Sequence, residues 1–136
     1  IFKPHFFIPH SLVNILLAFL FISIGVTLYF FIELGISALS FWVADIWSAR
    51  FVFWVLVSVL AGTMFPLNIL PAPVFQLLLF TPFPYFVYVP IQVYIGTSSL
   101  PVFQLFLSGL AWVIVGYLTV RYLWKKGLHE FSFYGK

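Results

Sequence analysis

Glu33 is the one ionisable residue inside an apolar run that extends from Leu12 to Val43. A charge at membrane depth is costly, and it marks either a functional path or a contact with protein. At 100° per residue, Ser23, Thr27, Glu33, Ser37 and Ser40 fall within an arc of roughly 140° on a helix. One polar stripe on an otherwise lipid-like helix must face protein or a cavity. It suits a substrate path or gate. It suits helix packing better, with Ser and Thr bonding across to a neighbour.

The other reactive side chains do not assemble into a site. The histidines are His5, His10 and His129, and the first two are separated by a proline from any helical register. With His129 on the opposite side of the membrane in the topology derived below, they cannot share a metal. The three acidic residues, Glu33, Asp45 and Glu130, are too scattered for a general acid–base pair. No cysteine is present, so thiolate metal sites, disulfides and Cys nucleophiles are excluded together. There is no Gly-rich phosphate loop and no nucleophile elbow. An enzyme is poorly supported.

Two further clusters sit near the C-terminal end. Ser108, Trp112 and Gly116 recur every fourth residue and share a helix face, which small residues make suitable for close packing. Arg121, Lys125 and Lys126 read as a topology anchor in contact with lipid headgroups.

Composition says what must position these groups. Of 136 residues, 64% are hydrophobic and 7% charged, against about 25% charged in soluble domains. A chain this short cannot hide so much apolar surface in its own core. Low charge and high hydrophobicity also exclude a disordered chain. Lipid is therefore the main solvent. The first residue is Ile1, which suggests part of a longer chain, and no signal-peptide pattern opens it.

The expected fold is an all-α membrane bundle of three elements, a single transmembrane domain over 1–136. Residues 1–10 read as an interfacial segment, with Ser11 as helix cap. The first span covers about 12–42, long enough to tilt in a bilayer of ~30 Å. A polar loop follows around 44–49. The run 51–65 reaches only about 22 Å, which does not cross. From Pro66 to Pro101, seven prolines interrupt residues that remain strongly apolar. Proline removes a donor and breaks helices, and irregular backbone at membrane depth needs protein around it. The prediction is a re-entrant segment over 66–100, with short helices near 66–71, 74–80 and 85–95 and a turn at 96–99. A last span follows at 102–124, then a short mixed tail, 125–136.

Three passes would put the 43–50 loop and the C-terminus on one side. That side carries Arg50, Arg121, Lys125, Lys126 and Lys136, and the other only Lys3. Basic loops favour the cytoplasm. The proline-rich segment is then outside, with Trp42, Trp47 and Trp124 at the inner interface and Tyr85, Tyr88 and Tyr94 at the outer one.

This arrangement supports a resemblance. Gly35 with Ala38-Leu39-Ser40-Phe41-Trp42, Asp45-Ile46-Trp47, and Ala61-Gly62-Thr63-Met64-Phe65-Pro66-Leu67 follow one another in order. Leu70-Pro71, Thr81-Pro82-Phe83-Pro84 and Pro90-Ile91-Gln92-Val93-Tyr94-Ile95-Gly96 continue the series, and Trp124-Lys125-Lys126-Gly127 fits the end. Together they resemble the C-terminal half of a type-2 exporter-class ABC transporter permease, of the small bacterial six-span kind paired with a separate ATPase. The resemblance implies the membrane part of an ATP-driven exporter in the bacterial inner membrane, with a cytoplasmic C-terminus. Its implied partners are ABC ATPase subunits, a second permease subunit and lipid, with no nucleic acid. It implies no cofactor on this chain and ATP on the partner. Asp45, Trp47 and Arg50 would form an ATPase-contact loop. Pro66, Pro71, Pro82, Pro84, Pro90 and Gly96 would shape an outer re-entrant gate. The family's other half, with its main coupling helix, is not in this sequence. The rival readings are a non-transporting membrane scaffold or assembly subunit and, further off, a membrane-embedded lipid-modifying enzyme.

Overall fold

The computed structural model describes residues 11–98 and 100–134. The interfacial segment with Lys3, His5 and His10, Ser99 of the predicted turn, and Lys136 lie outside these residues.

Helix α1, Leu12–Ala38, starts where the sequence places its cap: Ser11 Oγ accepts a bond from the Val13 amide at 3.3 Å. A 3-10 turn, Leu39–Phe41, tightens its C-terminal end. Helix α2 runs Trp47–Leu60. Most later breaks fall at a proline or glycine; the one between the third 3-10 turn and the helix after it falls at Val87. Pro66 precedes a 3-10 turn at Leu67–Ile69, and Pro71 caps helix α3, Ala72–Leu79, whose first turn tolerates Pro73. A third 3-10 turn, Phe83–Phe86, leads into helix α4, Tyr88–Ile95. Pro90 lies in the first turn of α4, where its missing N–H costs nothing. Gly96, at φ +79°, ends that helix in the left-handed conformation that glycine adopts without strain. Helix α5 is the longest, Val102–Tyr134.

Among the described residues, two stretches are long and apolar enough to cross a membrane: Leu12–Phe41 and Val102–Glu130. They run parallel. At their N-terminal ends Leu17, Val102 and Phe106 pack on one core. In the middle Phe31 covers Gly116, and at the C-terminal ends the Phe41 and Trp124 rings meet at 5.4 Å. Parallel neighbours need a return path, and α2 with the proline-broken segment supplies it. The core lies between α1, α4 and α5, built from Phe21, Ile24 and Leu28, Tyr85, Val89 and Val93, and Leu105. Helix α2 stands to one side. Phe53 is its one buried residue, with its ring against Tyr29 and Phe86 at 5.5 and 6.5 Å.

Three features depart from the sequence reading. The second helix occupies 47–60, so Trp47 and Arg50 belong to its first turn and not to a loop. The cause is Asp45, whose Oδ1 accepts the Trp47 amide at 2.9 Å and starts the helix early. The tail is not separate, because α5 continues through Gly127 to Tyr134. Gly127 is buried under the Phe41 ring, where a Cβ would stand 2.2 Å from Phe41 Cδ2, so tertiary packing holds the helix past its apolar stretch. Tyr85 is not an interfacial ring: it is fully buried at the centre of the core.

Candidate functional site: a broken segment wedged between two long helices

The 3-10 turn Phe83–Phe86 is the tip of the proline-broken segment, and it enters between α1 and α5. The approach requires glycine on both sides. A Cβ on Gly25 of α1 would lie 2.4 Å from the Tyr85 carbonyl oxygen. A Cβ on Gly109 of α5 would lie 3.0 Å from Tyr85 Cε1 and 3.1 Å from Ile24 Cγ2. Each glycine thus leaves room for backbone or ring that any other residue would fill.

The tip is also bonded in place. Tyr85 Oη donates to the Leu105 carbonyl at 2.9 Å and contacts Ser108 Oγ, which donates to the same carbonyl at 3.1 Å. One turn further, Trp112 Nε1 donates to the Phe80 carbonyl at 2.7 Å. That bond satisfies a C-terminal orphan carbonyl of α3. The face shared by Ser108, Trp112 and Gly116 therefore holds the broken segment and Phe31, the packing role its spacing suggests. Pro84 and Pro90 are buried with the tip, Pro82 borders a cavity below it, and Pro66 and Pro71 are exposed further out.

The polar stripe of α1 divides in two. Ser23 and Thr27 donate to carbonyls of their own helix, Phe19 at 2.9 Å and Ser23 at 2.8 Å. Lower down, Arg50 of α2 reaches both Glu33 and Ser37: Nε lies 3.6 Å from Glu33 Oε2, and Nη2 donates to Ser37 Oγ at 2.9 Å. Ser40 is exposed on the 3-10 turn. The two residue sets read separately from sequence, stripe and loop, thus meet at Arg50. Asp45 and Trp47 stay exposed, and Trp47 stacks on Phe51 at 5.5 Å, which in turn stacks on Trp54.

At the C-terminal ends Trp42 Nε1 donates to Glu130 Oε2, and Lys126 Nζ stands 6.0 Å from the Trp42 ring centre. Between this clamp and the wedge, α1 and α5 separate around a cavity of about 350 Å³. Leu28, Phe31, Gly35 and Leu39 line one wall, Trp112, Thr119 and Leu123 the other. No cluster of three or more metal-ligating side chains occurs among the described residues.

Sequence reasoning missed the part that Tyr85, Gly25 and Gly109 play in the wedge. A signal was present in the small residues of two apolar helices, but the third partner of a wedge has no fixed spacing.

Two long apolar helices, parallel and joined through a proline-broken segment, define an all-helical membrane protein. The chain belongs to the ABC-2 family transporter proteins, whose family model matches residues 5–135. Comparison with curated proteins and with solved structures gave no match. Proteins of this family are membrane parts of ABC transporters and generally pair with ATPase subunits.

Proposed function

We propose that this chain is the membrane permease part of an ATP-driven exporter in the bacterial inner membrane, with its C-terminus cytoplasmic. It works beside a second permease subunit and two ATPase subunits that bind the ATP. The observation that carries the proposal is the wedge: a proline-broken segment held between two spanning helices by Tyr85 and Trp112, in a chain of the ABC-2 family. Such a segment can close the outer end of a path. Packed interfaces of this kind switch between discrete arrangements. ATP-driven movement of α1 against α5 would loosen the tip and release substrate outward.

At the other end, Asp45 and Trp47 are exposed beside the Arg50 node and form the surface offered to an ATPase. Arg50 couples that surface to α1 through Glu33 and Ser37. Purification of the native assembly from membranes tests the reading. The expected result is co-purification of an ATP-binding subunit. Recovery with a multisubunit redox complex and no nucleotide-binding protein would overturn it in favour of a scaffold.

A further inference from the structure

We propose that the cavity between α1 and α5 binds one acyl chain of an anionic membrane phospholipid, with its headgroup at Lys126. The cavity lies between two helices long enough to span a membrane, and its only side-chain polar atoms belong to Trp112 and Thr119. Trp112 spends its N–H on the Phe80 carbonyl. A dry slot of this kind suits hydrocarbon and offers nothing to a polar solute. Its length, from Leu28 to Leu39, is about 16 Å along the helix. One end is stopped by Pro82 under the wedge. The other ends at Leu39 and Leu123, each one turn from the paired Trp42 and Lys126.

Charge chooses the occupant. Lys126 makes no ion pair among the described residues, Lys125 is its neighbour on the helix, and Glu130 is committed to Trp42. A cation beside an indole at the mouth of an apolar slot complements a phosphate headgroup with its chain in the slot. A neighbouring protein helix would need small or polar groups at the seam, and the lining beyond Gly35, Gly116 and Thr119 is aliphatic or aromatic. The site requires membrane insertion but not transport, so its failure and the failure of the exporter reading are distinguishable.

The test uses the intact assembly in vesicles doped with phosphatidylglycerol carrying a photoactivatable acyl chain, and with the phosphatidylcholine equivalent. Label is expected to concentrate on the stretches 28–39 and 112–123, with phosphatidylglycerol favoured about fivefold, the effect of one cation near a headgroup. Lys126→Gln should abolish that preference without changing the labelled stretches. Gly35→Leu fills the slot, where a Cβ meets Leu123 Cδ1 only at 3.9 Å, and displacing two methylenes should cut labelling about tenfold. Labelling of exposed Phe19 and Leu107 should stay as in the wild type. Label spread evenly over the exposed faces of α1 and α5 would overturn the proposal. So would cross-linking of Thr119→Cys to a protein helix in place of lipid. If Gly35→Leu fails to assemble, the wild-type labelling map and Lys126→Gln decide.

Discussion

The carbonyl oxygen of Tyr85 occupies the place where any side chain on Gly25 would begin. A Cβ there would stand 2.4 Å away, against backbone that cannot swing aside like a side chain. On the α1 side the wedge therefore depends on glycine at that one level, as it depends on Gly109 on the α5 side.

Gly25→Ala should push the tip off α1 and destabilise the protein by about 1–3 kcal/mol, the range for overpacking. Gly35→Ala is the matched control. Its new methyl makes ordinary contact with Leu123, and the better helix former should leave stability unchanged or raised by up to ~1 kcal/mol. Thermal unfolding in detergent compares the two, and equal effects would contradict the wedge.

Tyr85→Phe keeps the ring and removes the bonds to Leu105 and Ser108. The expected loss is about 0.5–1.5 kcal/mol, kept moderate because Ser108 retains its own bond to the Leu105 carbonyl. Tyr85→Ala empties the core centre, and its cost should reach about 3–5 kcal/mol. The difference between the two variants in thermal unfolding measures packing against hydrogen bonding.

Much of the fold could be read from local signals. Ser11 caps α1, and Pro66, Pro71, Pro82 and Gly96 mark breaks because their constraint acts within a residue or two. What escaped depends on partners distant in the chain. The helical tail relies on Phe41 over Gly127, and the burial of Tyr85 relies on glycines in two other helices. The pairing of Arg50 with Glu33 joins two elements whose relative placement no periodicity encodes. Apolar rings give the same composition whether they face lipid or core, so Tyr85 reads like an interfacial tyrosine.

Arg50 and Glu33 are partly exposed, at 48% and 31%, so breaking the pair should change stability by no more than ~1 kcal/mol. Its effect should appear in coupling. Glu33→Gln is expected to leave assembly intact and lower ATP-driven activity of the complex, and so is Arg50→Glu, with partial recovery in the Glu33→Arg, Arg50→Glu exchange. Unchanged activity in all three would remove the node from the mechanism.

Asp45 permits a cleaner test of the partner surface. Asp45→Asn keeps an oxygen for the Trp47 amide and removes only the charge. ATPase association should weaken several-fold while α2 remains helical. Asp45→Ala should also fray the start of α2, at about 1 kcal/mol. Charge reversal at Lys136 serves as the control in the same binding assay, and an equal effect there would contradict a specific contact.

The most direct test of the account is the sidedness of the broken segment, and a chain without cysteine makes single-cysteine labelling clean. Thr97 is exposed beyond α4, Leu78 is buried, and Lys126 is exposed near the far end of α5. Thr97→Cys should react with an impermeant thiol reagent added outside, Leu78→Cys should be protected from both sides, and Lys126→Cys should react only from the cytoplasm. Labelling of position 97 from the cytoplasmic side would contradict both the orientation and the outward-closing wedge.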